Sequence, residues 1–320
     1  MSRLNVWLLI ALLLAVCLSV AVGKVSLPWG AWTAADPRSI IIVELRLPRT
    51  VLAVTVGAAL GLAGAVMQGY LRNPLADPGL FGVSSGAALG AVLSLYFGFA
   101  TQMWLLPGFA LAGAAGTTAL LALIAGRSGS LILFTLAGMI LTTIAGSMTA
   151  LAISLAPTPF VSSQIVTWLM GALTDRSWDD VKIGVPLIAV GVSVLATTGR
   201  SLDALTLGEQ AARSMGVAPG RLQAAVIAGV ALTVGAAVAS AGVIGFVGLI
   251  VPHLVRPLAG NRPSAILFPS ALGGALLLTL ADTLVRVAPT VSELRLGIAM
   301  SMLGGPFFLW LLIRMRRRLA

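Results

Sequence analysis

Few residues in this chain are equipped for chemistry. Among 320 residues there is one histidine, His253, and one cysteine, Cys17. A metal or haem site built from histidines is therefore set aside, as are a cysteine cluster and a disulfide framework. His253 lies in "GLIVPHLVRP" at a membrane edge, where a local hydrogen bond is its expected role, and Cys17 lies inside an apolar run as lipid- or helix-facing filler. No stretch follows G-x-x-x-x-G-K-[ST], the loop whose backbone N–H groups cradle nucleotide phosphates. If ATP drives the protein, another subunit binds it. The 10 acidic residues fall in loops or near the ends of apolar runs, and Asp282 and Arg286 are spaced to pair on one helix face. No nucleophile and base are arranged for hydrolysis or transfer. The mid-membrane carboxylates of an ion-coupled carrier are missing too. What remains is a conduit moved by a partner.

The elements around these residues are set by composition. Hydrophobic residues make up 58% of the chain and charged ones 9%, with mean hydropathy +1.04, far from a soluble domain with its usual quarter of charged residues. The sequence predicts an all-α polytopic membrane protein. With about 20 apolar residues needed per helical crossing, ten spans are expected, near 6–23, 50–70, 80–99, 103–126, 130–156, 182–198, 222–241, 243–258, 264–286 and 295–314. The first, after Arg3, resembles a signal peptide at its start but is long enough to span. Strands of a barrel would alternate polar and apolar residues, and these segments do not.

Ten spans put both termini on one side. With that side cytoplasmic, twelve cations, including four in the tail at Arg314, Arg316, Arg317 and Arg318, lie inside and eight outside, the sense of the positive-inside rule. The net charge of +10 is thus read as membrane anchoring, with lipid as a partner and nucleic acid excluded. Glycine recurs at four-residue spacing in two "GAALG" segments, Gly57 to Gly61 and Gly86 to Gly90, which predicts close helix packing. Two loops exceed what a hairpin needs. One is external, near 23–49; the other is cytoplasmic, 197–222, where Ser201 or Asp203 could cap a short helix, Gly208 breaks it and Gly216 stops a second.

Six segments, in order, resemble the FecCD-type permeases, the membrane subunits of type II ATP-binding-cassette importers for iron-siderophore, haem and cobalamin. They are "RLPR" (46–49), "GAALGLAGAVMQ" (57–68), "RNPLADPGLFGVSSGAALGA" (72–91), "LGEQAARSMGV" (207–217), "GFVGLIVPHLVR" (245–256) and "GGPFFLWLL" (304–312). The resemblance implies a type II importer permease fold in one transmembrane domain over 1–320, with coupling helices near 202–217. It implies a second permease copy as a homodimer, two cytoplasmic ATPases carrying ATP and Mg, a periplasmic substrate-binding protein, and no cofactor or catalytic residue on this chain. The expected location is the bacterial inner membrane, both termini cytoplasmic. Ferric siderophore is the expected cargo, with cobalamin or haem as the alternative. An ATP-independent secondary transporter and a membrane scaffold are the rival classes.

Residue by residue, the resemblance implies docking of the binding protein at Arg46, Arg49 and Arg286, where headgroup anchoring is the alternative. It implies ATPase coupling through Leu205, Leu207, Gly208, Glu209, Arg213, Met215 and Gly216, against a solvated loop; Glu209 and Arg213 are spaced to pair. It implies a cytoplasmic gate at Asn73 and Leu75, against a tight turn capped by Asn73 and Asp77. It implies path lining on the fifth span, where Met139, Thr143, Ser147 and Ser154 share a face that could equally pack against another helix. Where many members have proline before the last helix, this chain has Arg295, which either attracts an anionic ferric chelate or pairs with Glu293.

Overall fold

The computed structural model describes residues 2–28, 32, 36–99, 102–125, 131–290 and 293–319. It is all helical, with no strand among the described residues. The helices are α1 (Arg3–Ala21), α2 (Leu47–Tyr70), α3 (Val83–Tyr96), α4 (Leu105–Ala125), α5 (Leu131–Ser154), α6 (Pro159–Leu169), α7 (Trp178–Ala196), α8 (Gly199–Leu205), α9 (Glu209–Ser214), α10 (Pro219–Ala241), α11 (Val247–Ala259), α12 (Pro263–Val287) and α13 (Leu296–Leu319).

Seven helices are long and apolar enough to cross a membrane, α7 with α8 forms one bent pair, and α3 and α11 are shorter apolar helices. Together these make ten apolar segments, each overlapping one of the ten predicted spans. An even number of passes leaves both termini at one face, called the terminal face here; the distal face carries the segments around 22–46, 155–177 and 288–295. Arg127, counted above among the inside cations, lies outside the described residues.

Three differences from the expected elements are local. The external loop before α2 is shorter than expected, because Ile41–Arg46 forms a π-helical turn that runs straight into α2. A distal helix, α6, stands where only loop was expected; Thr158 caps it with a 3.3 Å bond from the Val161 N–H, and Pro159 occupies its first turn. That cap and proline are a legible start signal. Finally, α8 is not capped by Ser201 or Asp203; its N-cap is Thr198, with no side-chain bond.

The bundle is organised around α2, which is buried along most of its length. It packs against α12 where Gly57 and Gly61 face Gly274 and Ser270, and against α11 where Gly64 faces Gly248. A Cβ at Gly57, Gly61 or Gly64 would overlap a backbone carbonyl of the facing helix. Gly86 and Gly90 do the same for α3 on α4, against Gly113 and Phe109. In lipid, where apolar surface gains nothing by leaving its surroundings, such close backbone approach supplies the packing contacts that hold helices together.

Candidate functional site

At the distal face the three candidate docking arginines converge, turned inward. Arg46, Arg49 and Arg286 are 5%, 8% and 4% exposed. Arg49 grips Asp282 with Nε and Nη2 at 3.0 and 2.9 Å and donates from Nη1 to Glu293 at 2.9 Å. Arg286 Nη2 donates at 2.6 Å to Asp282 Oδ2, the oxygen that also accepts from Arg49 Nε, and its Nη1 donates to the Ser19 carbonyl at 2.8 Å. Asp282 is fully buried, so one carboxylate compensates two guanidiniums. The expected Asp282 to Arg286 pair is present, but as half of a triad that ties α12 to α2 and α1. Arg46 differs. It donates only to backbone carbonyls, of Val20 at 2.9 Å, Ala21 at 2.6 Å and Val25 at 2.6 Å, and has no carboxylate partner among the described residues. The three arginines and Lys24 line a cleft of about 210 Å³.

Glu293 does not pair with Arg295 as expected. Its Oε2 accepts from Arg49 and from Thr174 Oγ1, both at 2.9 Å. Burial pushes the Glu293 carboxyl up, but the charge and hydrogen bond of Arg49, with the Thr174 bond, more than offset it and leave it below its ordinary value. Arg295 makes no ion pair among the described residues.

At the terminal face the opening "RNPLADPGLF" is a capped turn. Asn73 Oδ1 accepts from the Leu75 N–H at 3.0 Å, and Asp77 Oδ1 accepts from the Gly79 N–H at 2.8 Å, starting the 3₁₀ turn Pro78–Phe81. Burial holds the Asp77 carboxyl above its ordinary range, with the Gly79 bond opposing. Phe81 is buried against Phe134 of α5, ring centroids 5.3 Å apart. The turn reading of Asn73 is thus present, and Phe81 anchors the turn to the start of α5. Asn73 is exposed and Leu75 half-buried, at the mouth where a gate would stand.

The elbow between α7 and α10 has the two expected breaks. Gly208 at φ +100° separates α8 from α9, and Gly216 at φ +86° ends α9; both conformations are open to glycine and strained for other residues. Leu207 and Met215 are exposed, as is Arg213, whereas Leu205 is buried within the chain and Glu209 is half-buried. The expected Glu209 to Arg213 ion pair is absent; Glu209 instead lines a small cavity with Tyr70 and Arg72 at the end of α2. Asp203 is the residue whose role was missed. Its Oδ1 accepts from the Ser264 N–H at 2.8 Å and its other oxygen accepts from Ser264 Oγ, so it caps the start of α12 from a distance. Its sequence signal, an acid in a short helix, reads equally as a local cap.

On α5, Met139, Thr143, Ser147 and Ser154 are exposed, while Phe134, Ala137, Leu141 and Ala145 face the core. The face of the candidate path residues is not consumed by packing within the chain. A cleft of about 510 Å³, lined by Met170, Val243, Gly297, Ile298, Ser301 and Met302, was not foreseen, because its walls come from three separate segments. His253 has no partner at Nδ1 among the described residues and lies edge-on to Phe307, ring centroids 6.0 Å apart, so its expected hydrogen bond is not made. Nearby, Gln68 ties α2 to α11. It donates to the Gly248 carbonyl at 3.3 Å and accepts from Arg256 at 2.9 Å. Cys17 is exposed on α1.

This architecture is shared. The FecCD transport family matches residues 11–314. The chain belongs to the FecCD transport family. Among curated FecCD relatives, the Fe(3+) dicitrate transport system permease protein FecD of Escherichia coli is 38% identical, covering 96% of this chain and 98% of that one. The hemin transport system permease protein HmuU of Yersinia pestis is 36% identical over 98% and 96%, and the cobalamin import system permease protein BtuC of Halobacterium salinarum is 38% identical over 92% and 82%. A solved inward-facing metal-chelate type ABC transporter superposes with TM-score 0.90 at 32% identity, covering 98% of this chain and all of that one. This FecCD chain is therefore a polytopic permease of a type II ABC importer, a transport subunit.

Proposed function

We propose that this permease imports an iron chelate, a ferric siderophore in the first instance, across the bacterial inner membrane. Two copies would stand side by side with the exposed α5 face of each toward the path. The terminal face would be cytoplasmic and would carry two ATPases, which hold ATP and Mg; the distal face would receive a periplasmic binding protein. On this reading the single domain spans 1–320 and binds no cofactor.

The observation that carries the reading is the elbow. Leu207 and Met215 expose apolar side chains on a segment whose turns are set by Gly208 and Gly216 and whose base is tied to α12 by Asp203. An exposed apolar pair on a rigid base is suited to a protein socket, and a shift there would move α12 as a body. Gating at Asn73 and Leu75 would follow, since Glu209 and Arg72 line one cavity between the elbow and the end of α2. For docking, Arg46 is the best placed of the three arginines, because only it lacks a carboxylate partner among the described residues.

The test is uptake into proteoliposomes holding the permease with its ATPase, supplied with binding protein and ferric siderophore. Uptake that requires ATP supports the reading; uptake that persists without the ATPase subunit sinks it in favour of a secondary transporter. Competition by cobalamin or haem distinguishes the alternative cargoes.

A further inference from the structure

At the terminal face a cavity of about 470 Å³ opens where α7 ends and α10 begins, with Gly216 of the elbow on its wall. Its volume falls in the range of small-molecule sites. Two arginines stand on it, Arg200 of α8 and Arg221 of α10, and both are exposed. Neither makes an ion pair or a side-chain hydrogen bond among the described residues, and the lining holds no carboxylate. The Thr197 and Thr198 hydroxyls donate to the carbonyls of Val194 and Leu195 in the turn before them. That of Ser201, also on the lining, makes no such bond among the described residues. Asp203, the acid nearest in sequence to Arg200, is held by Ser264 at the start of α12.

Two uncompensated guanidiniums and a free hydroxyl suit a phosphate, whose oxygens accept from the paired N–H donors of arginine. The surroundings of the cavity point to the source of that phosphate. Both flanking helices are long and apolar enough to cross a membrane, α7 as part of a bent pair. From the cavity an exposed stripe runs along α7 from Thr197 through Ser193 to Val190, and another along α10 from Arg221 through Ala224 to Ala228. Their steps of three and four residues keep each stripe on one helix face. Neither stripe belongs to the α5 face proposed for the path. Small and apolar side chains exposed on membrane-crossing helices lie against acyl chains, and cations at the helix ends then stand at the level of the headgroups.

We infer that this cavity binds the headgroup of an anionic phospholipid, its phosphate taken by Arg200 and Arg221 with the Ser201 hydroxyl, and its acyl chains lying along the exposed stripes of α7 and α10. Because Arg200 is on α8 and Arg221 on α10, one bound headgroup joins the two arms that flank α9 and its closing turn at Gly216. The site is independent of the cargo and of which face carries the ATPases.

The experiment is native mass spectrometry of the full-length permease in neutral detergent, titrated with dioleoylphosphatidylglycerol. The tightest-bound phosphatidylglycerol should bind about ten-fold or more weakly in Arg200→Gln and in Arg221→Gln, each the loss of a charged hydrogen-bonding partner. Arg200→Lys and Arg221→Lys should keep part of the affinity. Both arginines are exposed, so the variants should assemble as wild type, with unchanged unfolding midpoints. Arg262→Gln, the same charge change at another exposed arginine of the terminal face, should bind the lipid as wild type does. Dioleoylphosphatidylcholine, which has no net charge, should show no dependence on Arg200 or Arg221. Equal phosphatidylglycerol binding by wild type and the two glutamine variants overturns the site, as does an equal loss in Arg262→Gln, the mark of a general attraction to that face. Displacement of the lipid by equimolar glycerol 3-phosphate would make the ligand a free phosphate compound, and displacement by the ATPase subunit would give both arginines to that protein. Either result overturns the lipid assignment.

Discussion

Arg49 Nη2 lies 2.9 Å from Asp282 Oδ1, a contact between residues 233 apart in sequence with Asp282 wholly buried. The same carboxylate takes Arg286 at 2.6 Å, so its loss leaves Arg286 without a carboxylate partner among the described residues and Arg49 with Glu293 alone. Breaking a buried pair from one side costs about 3–5 kcal/mol. Asp282→Ala is therefore expected to lower the unfolding midpoint in detergent sharply. Replacing Arg49, Asp282 and Arg286 together by apolar residues of similar volume should recover much of the loss.

Glu293 supplies a pH dependence with a definite sign. Its folded-state carboxyl lies below its ordinary value, so the stability it contributes is present above the unfolded pKa, about 4.3, and is lost as pH falls through the folded one. Thermal unfolding followed from pH 7 downward should show this acid limb, and Glu293→Gln should flatten it. A Glu293→Gln profile that matches wild type would remove the assignment.

Gly57 and Gly64 set how near α12 and α11 come to α2. A leucine at either would meet backbone rather than a movable side chain, and overpacking of this kind costs about 1–3 kcal/mol or more. Gly57→Leu and Gly64→Leu should give low yields of monodisperse protein. Gly116 is open to its surroundings, with nothing within 4 Å of an added Cβ, and Gly116→Ala should behave as wild type.

Asp203 joins the elbow to α12. Removing an N-cap carboxylate costs about 0.5–2 kcal/mol, so Asp203→Ala should be only mildly destabilised. Its larger effect is expected in coupling: ATP hydrolysis continues while uptake per ATP falls several-fold. Equal uptake per ATP in the variant and wild type would show that the tie does not transmit movement.

At the distal face, Arg46→Glu should weaken association with the binding protein, and the weakening should shrink as salt screens the interaction. Arg49→Glu is expected to fail by a different route, through instability, because Arg49 already serves Asp282 and Glu293. Binding measured at two ionic strengths, alongside unfolding midpoints, separates the two.

By itself the sequence determined the fold class, the ten passes and the elbow. Hydrophobic length, glycine spacing and helix breakers such as Gly208 and Gly216 act over a few residues and are read locally. The small-residue faces of the two "GAALG" segments predicted close packing for the same reason. Only the tertiary structure decided which partners those local features meet. Glu293 binds Arg49 rather than nearby Arg295, Asp203 caps α12 rather than its own helix, and the α5 face of Met139, Thr143 and Ser147 is left unpacked. A charged or polar side chain with several possible partners goes where burial leaves it fewest unsatisfied bonds. That choice depends on distant segments being brought together, 61 residues apart for Asp203 and Ser264 and 233 apart for Arg49 and Asp282, and no local pattern carries it.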